Sequence, residues 1–212
     1  MKRQKIAKSP PPPDAYAAYL ADLKQVIDAL PLEAARRAVD ILEEAYRTDH
    51  TVFLFGNGGS AALASHLAAD LGKGTHVPGP ASLEGVKRMK VLALTDNVPL
   101  LTAWANDTDY ERVFAAQMEN FVTAGDVAFG ISGSGNSASV LRALQLAREK
   151  GATTVGLVGS GGGKMNALLD CAIVVPSDHM QKIEDAHLTL AHLIFLDFKS
   201  RIEAAIRLRS WR

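Results

Sequence analysis

Apolar residues recur every three or four positions over residues 15–30 and again over 32–46, with Pro31 between the two runs. This spacing predicts two amphipathic helices at the start of the fold. The pattern then changes to short, nearly continuous apolar runs of strand length at residues 51–55, 91–95, 126–131, 153–158 and 172–175. Helical spacing returns between and after them, at 60–71, 99–105, 110–123 and 138–149, and in a long terminal stretch from 181 to 206. Strands that are apolar on both faces must be covered on both faces. The chain therefore reads as an α/β protein with a doubly wound five-stranded parallel sheet, helices on both faces, two N-terminal helices and a long C-terminal helix. Helices placed ahead of such a core are expected to pack outside it or onto a second subunit.

Residues 14–212 read as a single domain. Residues 1–13 join a basic octet to Pro10-Pro11-Pro12-Pro13 and are expected to form a disordered, solvated arm. Lys plus Arg (23) equals Asp plus Glu (23), so no net field draws the chain to nucleic acid or to an anionic membrane, and the expected partner is a small molecule. No apolar run reaches membrane-spanning length and the basic N-terminus lacks a secretory apolar stretch, which predicts a cytoplasmic protein. The single cysteine, Cys171, lies in an apolar run and reads as a buried structural thiol; it fits a reducing compartment.

Chemistry is suggested by two turns rich in glycine and serine. Gly56-Asn57-Gly58-Gly59-Ser60 and Ser132-Gly133-Ser134-Gly135-Asn136-Ser137 each follow a predicted strand and each open a predicted helix. Short side chains let backbone amides, hydroxyls and the positive end of the following helix close on an anion, so the pair predicts a bound sugar phosphate. Both turns also match the loose glycine pattern of dinucleotide sites. No acidic residue ends the strand after the second turn, and Asp96 stands about 40 residues beyond Gly56 where about 20 is expected, so a nucleotide is disfavoured. Gly159-Ser160-Gly161-Gly162-Gly163-Lys164 lacks the glycine and the serine or threonine of a triphosphate cradle and reads as a flexible loop.

His66 and Asp70 are one helical turn apart and share a face. In the terminal helix Glu184, His187 and His192 interrupt an apolar pattern, and Glu184 and His192 lie about 80° apart around its axis, so both can reach one pocket. Two histidines and two carboxylates suit zinc or another first-row divalent metal, and they suit metal-free proton transfer equally. His50, His76 and His179 fall in loops and read as solvated.

Taken together, the two turns, His66 four before an acid, and Lys182-Ile183-Glu184-Asp185-Ala186-His187 followed by His192 resemble the sugar-isomerase (SIS) domain proteins of the sedoheptulose-7-phosphate isomerase, or phosphoheptose isomerase, type. The resemblance spans about residues 15–205. It implies a homotetramer with sites at subunit contacts and aldose–ketose isomerisation of a seven-carbon sugar phosphate. It also implies substrate contacts from Asn57, Gly58, Gly59, Asn106, Asp107, Ser132, Gly133, Ser134 and Ser137, with Ser60 and Glu184 alongside. Metal and acid/base positions fall on His66, Asp70, Glu184 and His192, where the family binds zinc. The chain departs from the family pattern twice, with Asp70 in place of glutamate and Glu184 in place of glutamine. Enediol chemistry needs a base beside the carbon-bound proton and a group to shuttle the hydroxyl proton. The two departures allow an exchange of roles, with Glu184 as base, His192 as its acid/base partner and Asp70 as ligand. The competing expectation is a non-catalytic SIS module that binds the initiator DnaA or senses sugar phosphates; His66 and His192 argue against it.

Overall fold

The computed structural model describes residues 14–75 and 87–207; the arm predicted over 1–13 and the loop position His76 lie outside the described residues. Five strands, β1 (Thr51–Gly56), β2 (Lys90–Ala93), β3 (Val127–Ser132), β4 (Thr153–Val158) and β5 (Cys171–Val174), form one parallel sheet in the order β2-β1-β3-β4-β5. The helices are α1 (Ala15–Asp28), α2 (Leu32–Arg47), α3 (Gly59–Gly74), α4 (Val98–Asp107), α5 (Ala115–Glu119), α6 (Ala138–Glu149) and α7 (Met180–Arg207).

Alternate strand residues point to opposite faces, and each face has its own core. Val52, Leu54, Phe129, Ile131, Val155 and Leu157 pack with α2, α3 and α7. Phe53, Phe55, Ala128 and Val158 pack with α5, α6 and the segment around Met165. Right-handed crossovers explain the split. The chain steps from β1 to β2 in one direction and from β3 through β5 in the other, so the connecting helices fall on opposite faces. The reversal lies between β1 and β3, where ligands bind in sheets of this kind. Their register pairs Gly56 with Ile131, so the two glycine turns leave the sheet side by side.

The helix predicted over 110–123 is not continuous. The chain makes a 3-10 turn (Tyr110–Arg112), then the five-residue α5. Gln117 accounts for the interruption: it is buried, and its amide donates to the carbonyls of Val113 (2.6 Å) and Leu94 (3.0 Å), tying the segment to the end of β2. The Thr123 amide then donates to the Asp126 carboxylate (2.7 Å) and turns the chain into β3. Cys171 is buried with its thiol against the Ala34 carbonyl (3.4 Å), and burial raises its pKa. His50, predicted solvated, is half-buried, with Thr48 Oγ1 2.7 Å from its Nδ1.

α7 runs about 42 Å at 1.5 Å per residue and is held at both ends. Tyr19 of α1 donates to Asp185 (2.5 Å) and Lys182 pairs with Asp22 (2.6 Å); the Asp185 carboxylate pushes the Tyr19 hydroxyl up to about 12. Further along, Arg201 reaches Asp40 (2.7 Å) and Glu43 (3.0 Å) of α2 while binding Asp197 of its own helix. These contacts set which face of α7 meets the carboxyl edge of the sheet.

Candidate active site

Gly58 takes a positive φ of 57° at the head of α3, and neither α3 nor α6 has a side-chain cap, whereas α4 is capped by Asn97, which accepts from the Leu100 amide at 3.1 Å. The two helices that follow the glycine turns thus begin with amides that no side chain covers, the arrangement that receives an anion. In the second turn Ser132 Oγ and Ser137 Oγ lie 3.2 Å apart, and Ser134 Oγ accepts from the Asn136 amide (3.2 Å). The segment 159–164, expected to be flexible, is built into this turn together with Met165. The Gly159 amide donates to the Gly133 carbonyl (3.0 Å), Met165 to Gly135 (2.9 Å) and Lys164 to the Asn136 side chain (3.0 Å). A 3-10 turn (Gly163–Leu168) then buries Met165 completely.

Asn57 joins the two turns. Its Nδ2 donates to Ser139 Oγ at the start of α6 (3.0 Å), and its Oδ1 accepts from the Tyr110 hydroxyl (2.9 Å). Tyr110 and Ser139 carry no motif, and no spacing in the sequence singles them out.

α7 supplies the other wall. Its first turns lean on the second glycine turn: a methyl built on Gly133 would meet Met180 Sδ at 2.5 Å, and one on Gly159 would meet Ile183 Cδ1 at 2.5 Å. One turn further, the Glu184 carboxylate faces the first glycine turn, with Oε1 3.1 Å from a methyl built on Gly59. Gly59, Ser60, His66, Glu184, His187 and Leu188 line a cleft of ≈ 360 Å³ between α3 and α7. A second hollow of ≈ 260 Å³ between α5 and α6 is lined by Arg112, Glu119, Arg142 and Glu149, whose opposed charges present no convergent set.

Of the four predicted metal or acid/base residues, three converge. His66 Nε2 lies 3.0 Å from His192 Nε2 and 3.4 Å from Asp70 Oδ2, and the three ligand atoms fall within 4.8 Å of one another. Zinc bonds of about 2.0–2.1 Å would separate two tetrahedral ligands by roughly 3.3 Å, so the donor set fits such an ion and leaves a position open. Glu184 does not belong to this group; it stands beside Gly59 instead. The reason is helical geometry, since two turns separate residues 184 and 192 along α7. Asn106 and Asp107 end α4, exposed and bonded to each other (2.8 Å), and do not line the cleft.

In the sequence His187 is a break in an apolar pattern and the end of the Lys182–His187 motif, with no role assigned to it. Its side chain is 1% exposed, its Nε2 has no hydrogen-bond partner, and burial pushes its pKa down to about 4 against a partly offsetting bond to the Val158 carbonyl.

Comparison with known proteins agrees with this architecture. The SIS domain family matches residues 15–159. The phosphoheptose isomerase of Aliarcobacter butzleri is 40% identical over 181 residues, covering 84% of this chain and 90% of that protein. That of Sulfurimonas denitrificans is 44% identical over 151 residues, covering 70% and 73%. The structure of the phosphoheptose isomerase from Neisseria gonorrhoeae superposes with a TM-score of 0.77 at 32% identity, covering 87% of this chain and 97% of that one.

Proposed function

The chain belongs to the SIS domain family and to its phosphoheptose isomerases, and from that premise we propose that it interconverts sedoheptulose 7-phosphate and an aldoheptose 7-phosphate through an enediol. The observation that carries this reading is the meeting of His66 and His192, from two helices far apart in sequence, at the edge of a cleft that His66, Glu184 and the end of the first glycine turn line.

The phosphate is received by the amides and hydroxyls of Ser132, Gly133, Ser134 and Ser137, and the sugar runs toward Asn57, Gly58, Gly59 and Ser60. His66, Asp70 and His192 hold zinc or another divalent metal, which when bound supplies a positive charge beside the substrate oxygens. Glu184 is the base. Its carboxylate takes the proton from the carbon beside the carbonyl and returns it to the neighbouring carbon, while the hydroxyl proton passes from the oxygen that becomes the carbonyl to the oxygen that becomes the hydroxyl, which completes the exchange of aldose and ketose. Its separation from the three-residue cluster supports this division, because a carboxylate outside the coordination set keeps its lone pairs for the substrate. Asn106 and Asp107 are assigned to a neighbouring subunit's cleft in a homotetramer. Exposed Leu188, Leu193 and Leu196 on α7 and Tyr16 and Leu20 on α1 provide apolar surface for that assembly. A cytoplasmic setting is consistent with the lone buried Cys171.

The test is to incubate the purified protein with sedoheptulose 7-phosphate and follow the aldose by NMR, with sedimentation and metal analysis of the same preparation. The expected result is turnover by a four-chain particle that contains a divalent metal. Glu184→Ala should lose at least about 100-fold in kcat with its metal retained, and His66→Ala should lose the metal. Absence of turnover with zinc, manganese, magnesium or cobalt supplied would overturn the reading.

A further inference from the structure

Among the described residues, His187 Nε2 is the one buried side-chain nitrogen or oxygen without a hydrogen-bond partner. Such atoms are rare in folded proteins because a buried polar group that gives up water without replacement destabilises the fold, and a leucine would fill the same space at no such penalty. The position is otherwise apolar: Ala186, Leu190 and Ala191 of the same helix are fully buried. His187 is also among the residues that line the cleft with Gly59, Ser60, His66 and Glu184.

The partner of the other ring nitrogen fixes the chemistry. The Val158 carbonyl is hydrogen-bonded to the imidazole, and since Nε2 has no partner, the nitrogen that serves this carbonyl is Nδ1. A carbonyl only accepts, so Nδ1 carries the proton and Nε2 presents a bare lone pair. The complementary ligand group is therefore a donor, and the hydroxyls of a sugar are donors. We propose that His187 is a further substrate-contacting residue of this cleft, its Nε2 accepting a hydrogen bond from a sugar hydroxyl one helical turn from Glu184. This rests on the reading of the cleft as a sugar-phosphate site and adds to it a residue that fixes how the hydroxyls lie. Burial disfavours the charged ring, so the residue orients the hydroxyl and does not carry its proton. The effect of removing it belongs in substrate affinity and not in the chemical step.

Long-range ¹H–¹⁵N correlation spectra of the histidine-labelled, otherwise native protein read the tautomer directly. The expected result is a proton on Nδ1 and a bare Nε2 whose resonance moves when sedoheptulose 7-phosphate is added. Two variants separate the structural from the ligand role. His187→Asn keeps a donor for the Val158 carbonyl but has no acceptor at the Nε2 position, and should raise KM up to about tenfold with kcat within about threefold of the parent. His187→Gln places an amide oxygen or nitrogen at that position and should recover part of the affinity. A proton on Nε2, a resonance indifferent to saturating substrate, or a KM unchanged in both variants would overturn the proposal. If the variants fail to fold, the spectra of the native protein decide alone. Failure of the native protein to turn over the ketose overturns the functional reading, whereas an active protein with an unresponsive Nε2 overturns this proposal only.

Discussion

Asn57 shows how a short polar side chain is set for binding. An amide has two nearly symmetric ends, and its neighbours decide which points where. Here the Tyr110 hydroxyl donates to Oδ1 and Ser139 Oγ accepts from Nδ2, which leaves one N–H and one lone pair of a fixed orientation available to a ligand. Replacing Tyr110 with phenylalanine removes the first of these bonds without changing the shape of the ring. A neutral hydrogen bond contributes about 0.5–1.5 kcal/mol, so Tyr110→Phe should raise KM for the sugar phosphate about two- to tenfold and leave kcat nearly unchanged. Steady-state kinetics measure both; a fall in kcat at constant KM would show that Tyr110 serves the chemical step instead.

At the scale of elements, the second glycine turn depends on the third. Gly135 has a φ of +63°, and a methyl group there would collide with the Gly162 carbonyl, while a methyl on Gly163 would meet the Ser134 carbonyl at 2.5 Å. The two backbones touch because neither has a side chain, and this contact holds the second glycine turn in shape. Gly135→Ala should therefore destabilise the protein by about 2 kcal/mol or more, combining backbone strain with a clash. Gly161 shares a positive φ of +75° but has open space around it, so Gly161→Ala should cost only about 1 kcal/mol. Urea denaturation of both variants checks the difference; equal losses would mean that strain alone matters and that the loops do not brace each other.

Across the whole molecule, His187 links the cleft to stability. Its folded pKa lies below the unfolded value of 6.5, at about 4. Above pH 6.5 the ring is neutral in both states. As pH falls from 6.5 to 4 the unfolded chain binds a proton that the folded chain refuses, so stability is lost across that window, by a contribution of order 3 kcal/mol. Urea midpoints at pH 7.5 and 4.5 should converge more closely in His187→Asn than in the parent. If the two proteins lose stability in parallel, the ring is not the source of the loss.

The sequence by itself determined the elements and the two glycine turns that join strand to helix. Strand and helix follow from the period of apolar residues, and the turns follow from glycine and serine chemistry, both of which are local. It also put His66 and Asp70 on one helical face. The helix forecast for 110–123 failed because Gln117 is tied to Leu94, a residue distant in the chain, and periodicity is blind to such a bond. The strand order, the meeting of α3 with α7, the separation of Glu184 from the histidine pair, the brace of Asn57 by Tyr110 and Ser139 and the lone Nε2 of His187 were decided only by the tertiary structure. Each depends on which distant segments pack against one another. That choice is made by burial summed over two whole sheet faces, and no window of neighbouring residues contains it.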